Sequence, residues 1–223
     1  MLINPTLSFI AARFTLAASA VALLALVSLH VLSPEITPSW HMVSEYAFGE
    51  YGGLLSAFFF AWGAAYLALA FTMLPFTQGW LARLALLLLV ITGIGAVMGG
   101  LFDIRHPLHG LAFGIGVPFL PIATFILGHY LPRHYTLAKP KLMGVVRHAP
   151  WVTLVLMGIA MAVFINALKA AGAFHPEGVP HLWASLPDGI PKVVGYFNRL
   201  LIVAYLVSIL ILTDAARHLR PSS

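Results

Sequence analysis

The chain contains no cysteine among its 223 residues, which excludes disulfides, thiolate metal ligands and cysteine nucleophiles. Charged side chains are also scarce, at 9% of the residues, against about 25% in a typical soluble domain. Clusters of lysine and arginine that would suit nucleic acid are missing as well, so we expect no such partner. What remains is an apolar chain with 61% hydrophobic residues and a mean hydropathy of +0.95.

Six apolar segments are each long enough to cross about 30 Å of hydrocarbon as a helix. They predict an all-α fold, an integral membrane bundle of six transmembrane helices in a single domain. Pro118 and Pro121 lie inside the fourth segment and predict a kink there, because proline cannot donate a backbone hydrogen bond. The six predicted spans are residues 11–32, 52–74, 81–102, 109–131, 151–171 and 193–213.

Glycines recur in the third and fourth spans, and they favour close helix packing over phosphate binding. They are Gly93, Gly95, Gly99, Gly100, Gly110, Gly114 and Gly116.

The lysines and arginines predict the orientation of the bundle. The two termini and the second and fourth loops hold eight of them, whereas the first, third and fifth loops hold three. The positive-inside rule therefore predicts that both termini are cytoplasmic and that the odd-numbered loops face outward. The long fifth loop, residues 172–192, is rich in proline and glycine and is a candidate lid over the outer face.

Polar residues in or beside the odd-numbered loops predict one site at the outer ends of four helices. Because a guanidinium inside an apolar span needs a partner, we expect Arg199 to pair with Glu45, with Asp103 or with an anionic ligand, unless it snorkels to the interface. The candidate ligand-binding residues are Ser44, Glu45, Asp103, Arg105, His106, His109, Asn198 and Arg199.

The third loop has three interpretations. Asp103, His106 and His109 could bind zinc together with one more ligand or a water, or they could relay protons. Alternatively, Asp103 pairs with Arg105 and the histidines lie in water at the headgroup level. Haem is not expected, since the 20 residues between His109 and His129 span about 30 Å of helix and place these histidines at opposite surfaces.

Glu45 has two interpretations. If the segment that contains it folds back onto the bundle, Ser44 and Glu45 turn towards the helix interfaces, where a carboxylate needs a partner. If it does not, Glu45 is a helix-start residue that is favoured by the helix dipole and surrounded by water.

Short motifs along nearly the whole chain resemble the DUF998 family. They are Ser44-Glu45-Tyr46 before the second span, Gly100-Leu101-Phe102-Asp103 at the end of the third, a histidine that opens the fourth, and Asn198-Arg199-Leu200 in the sixth. The chain lacks the proline that the family usually has between the phenylalanine and the aspartate, and either His106 or His109 matches the family's histidine. The resemblance implies a six-helix membrane protein of prokaryotes, without an assigned activity. The pattern is also similar to that of eukaryotic Frag/DRAM proteins, which are associated with trafficking and lipids.

Several functions are compatible with this sequence. In the first, the protein binds a membrane lipid or another amphiphile, with Arg199 and the histidines at an anionic headgroup and apolar helix faces around the acyl chain. The alternative is a membrane-embedded, metal-dependent hydrolase, with zinc on Asp103, His106 and His109 and with Glu45 as general base. A proton-coupled transporter is less favoured, because no ionisable residue lies clearly at mid-span. A purely structural role of the polar cluster also stays open.

Overall fold

The computed structural model describes residues 5–174 and 184–221, and this part of the chain folds as an all-helical bundle. Six helical segments in it are long and apolar enough to cross a membrane. The elements are α1 (Pro5–Leu32), a first-loop 3-10 helix (Val43–Phe48), α2 (Gly52–Met73), a 3-10 turn (Leu74–Phe76), α3 (Gly79–Leu101), α4 (His109–Gly116), α5 (Phe119–His134), β1 (Tyr135–Thr136), α6 (Leu142–Ala170), α7 (Val194–His218) and β2 (Arg220–Pro221).

The six predicted spans are confirmed, but some of their ends differ from the prediction. The largest difference is in the fifth span, where α6 begins at Leu142 and not at residue 151. Arg147 therefore lies inside a helix that was expected to begin after it. The helix accommodates this arginine because its Nε donates a hydrogen bond to the carbonyl oxygen of Met143, 3.2 Å away and one turn earlier.

The fourth span deviates at the prolines, as predicted, but the chain forms two helices there, α4 and α5, and not one kinked helix. Pro121 has no N–H to donate to the carbonyl of Val117, four residues earlier, so that carbonyl loses its helical partner. The hydroxyl of Tyr205 in α7 replaces it and donates to the Val117 oxygen at 2.8 Å. Because Tyr205 is fully buried, this hydrogen bond ties the break to the interior of the bundle.

Neighbouring helices pack in an order that follows the chain. α1 packs on α2, α2 on α3, α3 on both α4 and α5, α5 on α6, and α6 on α7, while α7 also contacts α1 and α2. We call the end with the first, third and fifth loops the odd-loop face, and the opposite end the even-loop face. At the even-loop face, Lys139 and Asp214 form an ion pair at 3.0 Å and β1 pairs with β2, so the fourth loop is held to the end of α7.

The glycines of the third and fourth spans fall into two groups. A Cβ on Gly95 would lie 2.2 Å from the backbone nitrogen of Gly116, so the backbones of α3 and α4 are in contact at this point. The expectation of close packing is confirmed there. It is wrong for Gly110 and Gly114, where an added Cβ would meet no atom within 4 Å.

We predict that Tyr205→Phe lowers the free energy of unfolding by about 1–2 kcal/mol, because the Val117 carbonyl loses the donor that replaces its helical partner. Tyr196→Phe is the matched control, since Tyr196 lies on the same helix with 58% of its surface exposed. Reversible unfolding in bicelles measures both variants. Equal effects of the two substitutions would contradict the role assigned to the Tyr205 hydroxyl.

Candidate functional site

The side chain of Arg199 lies near the start of α7 and meets the end of α1. Its Nε donates a hydrogen bond to Nε2 of His30 at 2.6 Å. Nδ1 of His30 lies 2.7 Å from the carbonyl oxygen of Leu26, one turn earlier, and only an N–H can bond that oxygen. His30 is therefore the neutral tautomer with its proton on Nδ1, which leaves the Nε2 lone pair to accept from the arginine.

The other N–H groups of Arg199 bind the first loop and the start of α7. Nη1 donates to the carbonyl oxygens of Pro38, His41 and Gly195 at 3.1, 2.6 and 3.1 Å. Nη2 donates to the hydroxyl of Tyr46 at 3.3 Å, and the guanidinium carbon lies 5.8 Å from the centroid of that ring, within cation–π range. This set of contacts, the Arg199 cluster, joins α1, the first loop and α7.

Arg199 does not form the expected ion pair with Glu45 or Asp103. Among the described residues, no carboxylate oxygen lies within 4 Å of the guanidinium. Its hydrogen bonds are accepted instead by three carbonyl oxygens, an imidazole nitrogen and a phenol oxygen. The charge is thus stabilised by dipoles and not by a counter-ion.

Glu45 is buried in the first-loop 3-10 helix, with only 9% of its surface exposed. This agrees with the interpretation in which the segment folds back onto the bundle. Oε2 of Glu45 accepts a hydrogen bond from the backbone N–H of Met42 at 2.5 Å. Burial raises the pKa of Glu45 to about 7, although the Met42 hydrogen bond and the positive charge of Arg199 act in the opposite direction. Glu45 is therefore a helix-start residue, but one that is removed from water.

Asp103 pairs with Arg105 at the surface of the third loop. Nε of Arg105 donates to both carboxylate oxygens, at 3.2 and 3.1 Å, and Nη2 donates to Oδ2. These hydrogen bonds lower the pKa of Asp103. The side chains of Arg105 and Asp103 are 58% and 35% exposed, so the pair agrees with the structural interpretation of this loop.

The two histidines of the third loop have different partners. His106 stacks on the ring of Phe102, with centroids 4.6 Å apart, and its Nδ1 accepts from the N–H of Leu108 at 3.1 Å. His109 opens α4, and its Nδ1 lies 2.8 Å from the carbonyl oxygen of Phe102. No three histidine, aspartate or glutamate side chains in the described ranges are grouped as a metal site requires, so the alternative in which Asp103, His106 and His109 bind zinc is not supported.

A cavity of about 280 Å³ lies between the odd-loop face and the interior of the bundle. Its walls come from residues 42–44 of the first loop, from Ile104 of the third loop, from α2, α3, α4, α6 and α7, and from Val117 just after α4, and they are mostly apolar. No aspartate, glutamate, lysine or arginine is found among the described residues that line it. Three polar residues mark its odd-loop end: Ser44, His109 and Asn198.

The polar end of the cavity offers both donors and acceptors. Oδ1 of Asn198 accepts the backbone N–H of Val43 at 2.9 Å, so the Nδ2 group of Asn198 remains a donor. Nδ1 of His109 carries a proton to bond the Phe102 carbonyl, and in the neutral imidazole Nε2 is the acceptor. The Ser44 hydroxyl can act in either way. Together these groups suit an uncharged polar group such as a hydroxyl or an ester.

The α2 side of the cavity is aromatic and was not predicted from the sequence. Phe59, Trp62 and Tyr66 line it, and their spacing of three and four residues is the signal that could have found them, since such residues share one helix face. The indole N–H of Trp62 and the hydroxyl of Tyr66 are buried side by side, with ring centroids 5.7 Å apart, and neither makes a well-formed hydrogen bond within the described residues. Unsatisfied polar groups of this kind need a specific explanation.

The eight predicted site residues thus separate into three groups. Ser44, His109 and Asn198 line the cavity. Glu45 and Arg199 do not line it, and they hold the first loop in place next to it. The remaining three, Asp103, Arg105 and His106, belong to the third loop outside the cavity lining.

The fifth loop is described only in part, because residues 175–183 of the candidate lid lie outside the described residues. Leu186 and Ile190 pack with Leu168 of α6 and with Trp40 of the first loop. The start of α7 is joined to the first loop by a hydrogen bond from the Gly195 N–H to the Ser39 carbonyl oxygen at 2.9 Å. The described part of the fifth loop therefore packs on the odd-loop face without lining the cavity.

Comparison with known proteins gives one match. A family model described as a protein of unknown function (DUF998) matches residues 16–214, which confirms the resemblance found in the sequence motifs. Neither the curated proteins nor the solved structures provided a match.

We predict that Arg199→Lys lowers the free energy of unfolding by about 2–3 kcal/mol in the absence of any ligand. A single ammonium cannot reach His30, the first-loop carbonyls and Tyr46 together. Arg105→Lys is the matched control, because the exposed pair with Asp103 contributes little to stability. Unfolding in mild detergent measures both, and equal stability of the two variants would contradict a structural role for Arg199.

A pH dependence is predicted for Glu45. Because its pKa is raised from 4.5 to about 7 on folding, the folded state keeps this proton to a higher pH than the unfolded state does. The contribution of Glu45 to stability is therefore complete below pH 4.5 and is lost as the pH rises to about 7, by about 2–3 kcal/mol.

The test compares wild type with Glu45→Gln, which keeps the oxygen that accepts from Met42 and removes the titration. We expect the difference in melting temperature between pH 5 and pH 8 to shrink in the variant, through a higher stability at pH 8. All other ionisable residues are common to both proteins, so the comparison isolates the carboxyl group of Glu45. An unchanged difference would show that Glu45 titrates at its ordinary pKa.

Proposed function

We propose that this chain, which belongs to the DUF998 family, is a multi-pass membrane protein that binds an uncharged, single-chain amphiphile in its cavity. The polar head of the ligand lies among Ser44, His109 and Asn198, and its chain lies against Phe59 and Trp62.

The observation that carries this proposal is the chemistry of the cavity wall. A volume of about 280 Å³ is close to the lower end of the range of small-molecule sites, about 300–1,000 Å³. An apolar wall with a few polar groups at one end is typical of such sites. The volume suits one chain or a small ring system, and a phospholipid with two chains is larger than the cavity.

The charges of the site favour an uncharged head. Every nitrogen of the Arg199 guanidinium already donates to a protein acceptor, so this side chain is not the expected partner of an anionic headgroup. With no fixed charge in the described lining, a carboxylate or phosphate would lose its hydration without gaining a counter-ion. A hydroxyl or ester would find donors and acceptors in place.

The positive-inside rule supports an orientation with both termini in the cytoplasm, and the family resemblance implies the cell membrane of a prokaryote. The odd-loop face then lies outside, and the cavity lies in the outer half of the bilayer. This orientation makes the lipids of the outer leaflet the source of the ligand.

Bromine-labelled amphiphiles test the proposal by quenching tryptophan fluorescence on contact. Trp40, Trp80, Trp151 and Trp183 are replaced with phenylalanine, which leaves Trp62, 6% exposed, as the probe inside the cavity. We expect a brominated monoacylglycerol to quench Trp62 saturably, and unlabelled monoacylglycerol to reverse the quenching. A brominated fatty acid at pH 8 is expected to bind at least about tenfold more weakly, which corresponds to about 1.4 kcal/mol.

The matched control keeps only Trp151, which is 42% exposed near the even-loop face and reports unspecific partitioning. Ser44→Ala, which removes one hydrogen bond at the polar end, is expected to weaken binding by about two- to tenfold. Quenching of Trp62 that never saturates, or that is the same as that of Trp151, would overturn the proposal.

A further inference from the structure

We infer that the cavity is loaded sideways from the bilayer, through a portal between α4 and α6 that is bordered by Gly110, Phe113 and Met161. This inference rests on the proposed function and names the source of the ligand, a molecule dissolved in the membrane and not one taken up from water.

The helix packing around the cavity differs between the two halves of the bundle. In the half of the bundle towards the even-loop face, the wall is continuous, because α5 packs on both α3 and α6. In the odd-loop half, α4 packs on α3 but has no comparable contact with α6 in the described part of the chain. Met161 is the residue of α6 that lines the cavity. The wall is therefore thinnest between α4 and α6.

The prolines of the fourth span explain this gap. A continuous helix over residues 109–134 would keep its first half in line with α5, and so against α6. Pro118 and Pro121 remove the hydrogen bonds that such a helix needs at this point, and the chain forms two separate helices, α4 and α5. The contact of Gly95 with Gly116 then holds α4 against α3, and the other side of α4 has no comparable contact with a helix in the described part of the chain.

The α4 residues that line the cavity differ in their exposure. At about 100° per residue, Ala112 and Gly110 lie on opposite edges of the cavity face of α4. Ala112 is 2% exposed, on the side that faces the bundle, whereas Phe113 is 51% exposed although it also lines the cavity. Gly110 is exposed as well. A residue that belongs both to a cavity wall and to the lipid-facing surface marks an opening between the two.

Position 110 is also suited to a test of the portal. An added Cβ there would meet no atom within 4 Å, so a larger side chain fits without displacing the backbone. Gly114, one turn further along α4, has the same free space but does not line the cavity. The two glycines form a matched pair that differs in position relative to the portal.

The experiment measures the rate at which Trp62 is quenched after brominated monoacylglycerol is added to the full-length, single-tryptophan protein in lipid nanodiscs. We expect Gly110→Leu to slow quenching several-fold and Phe113→Ala to accelerate it. Gly114→Leu should leave the rate unchanged, and so should Phe125→Ala on the lipid-facing side of α5, 46% exposed in the parent. Circular dichroism and melting temperature verify that each variant is folded, and Gly110→Ala replaces Gly110→Leu if the larger side chain prevents folding.

The outcomes separate the portal from the binding site. If Trp62 is not quenched saturably in the parent, the proposed function fails and the portal with it. If the parent is quenched but the portal variants match their controls, the portal is wrong and the binding site stands. If Ser44→Phe at the polar end slows quenching while Gly110→Leu does not, the ligand enters from the odd-loop face, and the lateral route is overturned. Opposite changes for Gly110→Leu and Phe113→Ala support the portal.

Discussion

Polar groups inside a bilayer must find their partners within the protein, and the position of the first loop depends on how Arg199 meets this requirement. Its guanidinium donates hydrogen bonds to the carbonyl oxygens of Pro38 and His41, and these bonds anchor the first loop on α7. The neighbouring Asn198 then accepts the N–H of Val43, and this contact sets Ser44 at the polar end of the cavity. Arg199 therefore shapes the site without lining it.

The same requirement explains the shape of the opposite wall. Pro121 leaves the carbonyl of Val117 without a helical donor, and Tyr205 supplies one from α7. Because this partner is available, the fourth span can break in the membrane at a small energetic cost. The break separates the packing of α4 from that of α5, so a local feature of the sequence determines where the cavity meets the lipid.

The sequence was a good guide to the spans and a poor guide to the polar contacts. Hydrophobic length is a local property, so all six spans could be predicted. The start of α6 was predicted too far along the chain, because Arg147 was assigned to the fourth loop. The partners of Arg199 could not be predicted, because a backbone carbonyl is present at every residue and leaves no trace in the sequence. Carboxylates are visible there, which is why Glu45 and Asp103 were expected as partners.

The separation of charged from uncharged polar groups has a physical consequence for selectivity. At the odd-loop face, Asp103 and Arg105 pair with each other at the surface and Arg199 is bonded within its cluster, whereas the described lining of the cavity has Ser44, His109 and Asn198 at its polar end and no aspartate, glutamate, lysine or arginine. A charged headgroup would have to lose its hydration shell there with no opposite charge to replace it. Discrimination between membrane molecules then arises from desolvation, and the small volume adds discrimination by size. A site of this kind needs no counter-ion to select an uncharged ligand in an anionic membrane.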